Sequence, residues 1–127
     1  MDNQQLIKSV ITIKGQDYIA FLGDEFTDRI IQASIKREPF ENIIEKPVGG
    51  ASFDWETSIK FVYEITQLIA NVVTIYQGYE LLKKYKPSKE EVISQLKEDK
   101  TLENLEEINE DEAIETIEET ITQLKNL

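Results

Sequence analysis

The 127-residue chain contains no cysteine and no histidine. The first absence excludes disulfides, a thiolate nucleophile and cysteine-based zinc sites. The second removes the side chain that proteins use most often as a general base and as a metal ligand. The serines therefore lack a histidine that could activate them, and the glycines form no phosphate-binding motif. We expect a non-catalytic protein that uses no cofactor and no metal ion.

Glycine and proline are also scarce, with five and three copies, and this composition suits a helical protein. A chain of this length is expected to form one domain with its own hydrophobic core. Its apolar periodicity predicts an all-α fold, a small helical bundle around one long central helix. The alternative is an α+β fold with an N-terminal β-hairpin around "KGQD", because the β-branched stretch "SVITI" favours a strand.

Negative charge is concentrated at the C-terminal end. The net charge is −11, yet residues 1–87 hold 10 basic and 12 acidic side chains, whereas residues 88–127 hold 4 and 13. The pattern predicts a near-neutral helical body followed by an acidic helical arm. Acidic surfaces repel phosphate backbones and attract basic surfaces, so we expect a protein partner rather than nucleic acid. The first residues lack the basic segment of a signal peptide, which favours a cytoplasmic location.

The first helix is predicted from residues that share one face at 100° per residue. Asp2 or Asn3 could cap its start, and Gly15 could end it. A second helical pattern follows, in which Gly23 is an interruption and Asp24 could cap a shorter helix. The shared face of the first helix consists of Leu6, Ile7, Val10, Ile11 and Ile13.

Two features are predicted ahead of the central helix. The stretch "PFENIIEK" indicates one or two helical turns. Pro47, Gly49 and Gly50 indicate a loop, after which Ser52 or Asp54 could cap the long helix.

The central helix is predicted over residues 54–86, and its apolar arc is wider than a surface helix needs. Neighbours should therefore surround it, or a second copy or a partner should cover the remainder. The segment is long enough to span a membrane, but Glu64, Gln67 and Asn71 lie well inside it, which makes a membrane span unlikely. Its polar residues form one narrow stripe: Lys60, Glu64, Gln67, Asn71, Thr74 and Gly78.

The acidic arm carries two helix-start signals. Ser88 with Glu91, and Asn109 with Glu112, have the spacing of a capping box. The last helix should therefore begin near Asn109, with one narrow apolar seam on an otherwise acidic surface. That seam consists of Ile114, Ile117, Ile121 and Leu124.

These features favour a non-catalytic protein–protein interaction module, a small adaptor or regulatory subunit. One alternative is an acidic inhibitor or immunity-type protein that masks a basic surface, such as that of a nuclease. Another is a membrane-associated oligomer, and a homodimer through the central helix is also open. The predicted partner-binding residues come from the polar stripe and from the acidic helix: Glu64, Gln67, Asn71, Glu112, Glu115 and Glu119.

Overall fold

The computed structural model describes residues 2–39 and 53–127, and within them it contains six α-helices and no strand. This confirms the all-α bundle around a long central helix. The predicted turns in "PFENIIEK", the loop at Pro47–Gly50 and the Ser52 cap lie outside the described residues. The helices are α1 (Asn3–Lys14), α2 (Gln16–Leu22), α3 (Asp24–Ile35), α4 (Phe53–Gly78), α5 (Lys89–Glu98) and α6 (Glu110–Lys125).

The N-terminal hairpin alternative is wrong, because the chain around Gly15 continues as helix on both sides. The side chain of Asp2 accepts a hydrogen bond from the N–H of Gln5. The side chain of Gln5 accepts one from the N–H of Asp2, which completes a capping box. The N–H of Gly15 donates to the carbonyl of Ile11, and α2 begins at the next residue. Ile13 does not follow the rest of its predicted face, since 54% of its surface is exposed.

Gly23 separates α2 from α3. Its φ of +89° lies in a region that L side chains rarely adopt, so a glycine is required for the chain to change direction here. Gly23 itself occupies the position before the helix, and Asp24 is the first helical residue rather than the cap. The carboxylates of Asp24 and Glu25 then lie in the first turn, where they suit the helix dipole.

Helix α4 is the core of the bundle and packs against α1, α2, α3, α5 and α6. It runs antiparallel to α1, since Asn3 pairs with Gln77 while Gly15 lies beside Phe61. It runs parallel to α3, since Phe26 stacks on Trp55 near the start of both helices and the Ser34 hydroxyl donates to the Tyr63 carbonyl further along. The chain's own helices therefore cover the broad apolar arc. The buried apolar residues of α4 are Ile59, Phe61, Val62, Ile65, Leu68, Ile69, Val72, Val73 and Tyr76.

The long helix ends earlier than the sequence predicts. After Gly78 it widens into one π-helical turn, Tyr79–Lys83, and Lys84 then takes a left-handed conformation with φ of +64°. This conformation stops the helical hydrogen-bond pattern three residues before Pro87. The turn leaves Leu81 and Leu82 74% and 84% exposed.

The acidic segment after Pro87 packs on the helical body and shares its core. The Ser88–Glu91 capping box forms as predicted, and Asn109 accepts from the N–H of Glu112. One side of α6 is buried, including three seam residues, while Ile114 is half-buried. A short 3₁₀ turn, Leu102–Asn104, connects α5 towards α6. The remaining buried residues of α6 are Ala113, Thr116 and Thr120, beside Ile117, Ile121 and Leu124.

Candidate functional site

A cleft of about 660 Å³ lies along the middle of α4. The N-terminal turn of α1 and the C-terminal end of α3 form one wall. The connection from the end of α5 to the 3₁₀ turn forms the other. A concave surface of this size is the default place to look for a binding site in a protein whose function is not established.

The polar stripe of α4 forms the floor of this cleft. Glu64, Gln67, Asn71 and Thr74 all line it, as residues spaced by three or four positions on one side of a helix should. Most buried apolar residues of α4 lie outside the stripe, so the stripe marks the open side of the bundle within residues 2–39 and 53–127. The structure therefore brings together three of the predicted partner-binding residues, Glu64, Gln67 and Asn71.

Glu64 is the most constrained polar group on the floor, with only 7% of its surface exposed. Its Oε1 accepts hydrogen bonds from the backbone N–H groups of Glu106 and Glu107, at 2.9 and 3.0 Å. Burial raises the pKa of this carboxyl above its usual value, and these two hydrogen bonds oppose the rise. Lys60, one turn earlier, forms an ion pair with Glu106, and the hydrogen bond to that carboxylate raises the pKa of Lys60.

Amide side chains cluster at the α1 end of the cleft. Asn3 and Gln77 exchange hydrogen bonds at 3.0 and 3.4 Å, and Gln4 and Gln32 do so at 3.1 and 3.4 Å. Asn3 and Gln4 also line the cleft, which they share with Asn71 on the floor. Since an amide offers both a donor and an acceptor, this arrangement can pair with the backbone of another polypeptide.

Both walls end where a helix terminates in the same way. Arg37 and Lys100 each have φ near +60°, and the N–H groups of Glu38 and Thr101 reach back to carbonyls five residues earlier. These hydrogen bonds satisfy carbonyl groups in the last turns of α3 and α5. Arg37, which follows α3, lies on one wall of the cleft. Asp99 and Thr101 line the opposite wall.

The acidic residues predicted on α6 lie elsewhere. Glu112 and Glu115 border a separate cavity of about 60 Å³, which Lys14 also lines. The Nζ atom of Lys14 lies 3.9 Å from Oε2 of Glu115, and Glu115 is exposed. Glu119 is half-buried on the same helix. The six predicted residues thus fall into a cleft group on α4 and a surface group on α6.

Several cleft residues are not among the predicted site residues. The sequence predicts Asn3 only as a possible helix cap, and it assigns no role to Gln4, Arg37, Asp99 or Asn104. They come from three segments that are distant in sequence, and each occupies a helix end or a loop. Helical periodicity carries no signal for such positions, because it describes only the contacts along one helix.

Further observations bear on the type of site. Among residues 2–39 and 53–127, no three acidic side chains are grouped so that they could hold a metal ion. No described helix is long and apolar enough to cross a membrane. No protein-family model matches the chain, and no curated protein or solved structure shows significant similarity to it. Function must therefore be inferred from the geometry of the cleft.

Proposed function

We propose that this chain is a non-catalytic protein-interaction module, an adaptor or regulatory subunit, that binds a segment of another polypeptide in the cleft along α4. The observation that carries the proposal is the open side of the central helix. Its floor presents a carboxylate, two amides and a hydroxyl in sequence, while the buried apolar residues of α4 pack against the other helices.

The size and chemistry of the cleft suit such a segment. From Glu64 to Thr74 the floor extends over ten residues, about 15 Å at the rise of an α-helix. The amides at Asn3, Gln4 and Asn71 can satisfy backbone groups, and the half-buried Ile35 and Ile75 contribute apolar contact area. This mixture of polar and apolar groups is typical of surfaces that bind and release a partner.

A photo-crosslinking residue placed at Thr74 tests the proposal, because Thr74 is exposed at the edge of the floor. In the cells that produce the protein, we expect a discrete adduct of higher mass. Asn71→Trp, which fills the cleft, should abolish that adduct without changing the circular dichroism spectrum. An adduct that persists in Asn71→Trp, or the absence of any adduct, would contradict the proposal. A mass of twice the chain would identify a second copy as the occupant.

The acidic face of α6 supports a second candidate, an inhibitor-type protein that masks a basic surface. Its apolar side is buried in the core, which leaves Glu112 and Glu115 exposed on a fixed helix. The same crosslinker at Glu119 is therefore the matched comparison. An adduct formed at Glu119 rather than at Thr74, and lost at high salt, would favour this candidate, because exposed charge pairs are screened.

A further inference from the structure

Glu64 has one carboxylate oxygen that is engaged and one that is not. Oε1 accepts both backbone hydrogen bonds, whereas Oε2 accepts none within the described part of the chain. The side chain is 93% buried and lines the floor of the cleft. Oε2 is not among the fully buried atoms that lack a partner, so it is accessible from the cleft. A donor of opposite charge can reach it there and form a charge-assisted hydrogen bond with a carboxylate that is otherwise largely removed from water.

No described basic side chain forms an ion pair with Glu64. Lys60, one turn earlier on the same helix, acts on Glu64 as an opposite charge, but its ammonium group pairs with Glu106. Glu107 acts on Glu64 as a like charge, and Asp99 faces the cleft from the opposite wall. Arg37 is exposed on the α3 wall and forms no ion pair with Glu64 among the described residues.

The ends of two helices strengthen the preference for a cation. The C-terminal residues of α3 and α5 border the cleft, through Ile35 and Asp99. A helix C-terminus is the negative end of the helix dipole, although backbone N–H groups that follow α3 and α5 satisfy several of their last carbonyls. The negative charge around Glu64 therefore comes both from acidic side chains and from the backbone dipoles of two helices.

We propose that Glu64 binds a basic side chain of the partner polypeptide, with arginine preferred to lysine. This rests on the proposed function of the cleft. Oε2 accepts from the guanidinium, and the amide oxygen of Gln67, about one turn further along α4, accepts from another of its N–H groups. Lysine offers three donors on one nitrogen and cannot reach acceptors spread along the floor in the same way.

Amide chemical shifts of the full-length protein provide the test, with N-acetyl-arginine-amide as the probe. We expect saturable shifts in α4 around Asn71 and in residues 99–105. The neutral isostere N-acetyl-citrulline-amide should produce none of these shifts, and N-acetyl-lysine-amide should bind more weakly. Glu64→Gln should raise the Kd about tenfold, since one charge-assisted hydrogen bond is lost.

Two variants keep the test decisive. Glu119→Gln makes the same charge change on α6 and should leave the Kd unchanged. Asp99→Asn alters the other wall without touching Glu64 and should raise the Kd about two- to threefold by weakening the local field. Equal binding to the wild type and to Glu64→Gln, or shifts spread over α6, would overturn the inference and show an adventitious cation only. If the Thr74 crosslink also survives in Glu64→Gln, this inference fails while the cleft remains a partner site.

Discussion

Helices α4 and α6 each carry a narrow stripe that differs from the rest of the helix. On α4 the stripe is polar, and the structure leaves that side open as a cleft. On α6 the stripe is the apolar seam, and three of its four residues are buried in the shared core. The same type of sequence pattern thus predicts opposite environments, because each stripe marks the side on which the surroundings of the helix change.

Among substitutions on the two stripes, we expect the largest loss of stability at Ile117, which is fully buried in the seam of α6. Ile117→Ala should lower the free energy of unfolding by about 2–5 kcal/mol, because it removes buried methyl groups and leaves a cavity. Urea denaturation measures the change.

Ile114 is the matched control, since it belongs to the same seam but is half-buried. Ile114→Ala should cost about 1 kcal/mol or less. Equal losses for the two variants would mean that the seam does not pack on the body as described.

The next largest change in the free energy of unfolding is expected at Glu64, on the polar stripe of α4. Glu64→Ala removes the acceptor for two backbone N–H groups and should destabilise the fold by about 1–2 kcal/mol. Denaturant unfolding measures the loss. Amide exchange at Glu106 and Glu107 should accelerate by more than exchange in the core of α4.

Glu64→Gln keeps that acceptor and removes the charge, so it serves as the control. Because burial raises the pKa of Glu64 in the folded state, the native protein binds this proton more tightly than the unfolded chain does. The contribution of Glu64 to stability therefore falls as pH rises from about 4, the ordinary value for a glutamate, through the folded-state pKa. At neutral pH, Glu64→Gln should be at least as stable as the wild type. A stability difference that grows in favour of the wild type with pH would contradict the raised pKa.

The smallest effect is expected at Gly78, the last member of the polar stripe. Its φ and ψ of −61° and −43° are helical, and a β-carbon there would meet nothing within 4 Å. Gly78→Ala should raise the free energy of unfolding by about 0.5–1 kcal/mol by restricting the unfolded chain. Gly23→Ala is equally free of clashes, but it should destabilise the protein because of its φ of +89°. Thermal unfolding of both variants measures the two effects. Opposite shifts in Tm would show that backbone conformation decides the outcome, because neither added β-carbon meets another atom within 4 Å.

The sequence predicts the features that depend on contacts within one helix. The caps at Asp2 and Ser88, the end of α1 at Gly15, and the floor of the cleft from Glu64 to Asn71 follow from spacing alone. The features that depend on packing between helices are not predictable in this way. The cleft walls and the exposure of Ile13 belong to this second group.

Backbone geometry accounts for the other differences. The division between α2 and α3 requires a positive φ at Gly23, and the end of the long helix requires one at Lys84. Glycine signals such a conformation in a sequence, whereas lysine does not. The sequence therefore predicts an end of the central helix at residue 86, later than the structure has it.

The hydrogen bonds of Glu64 also define a closed loop in the chain. They join residues that are 42 and 43 positions apart, and the whole of α5 lies between them. The amide groups of Glu106 and Glu107 therefore report directly on the contact between α4 and the segment that leads into α6, and hence on whether the C-terminal third is packed on the body.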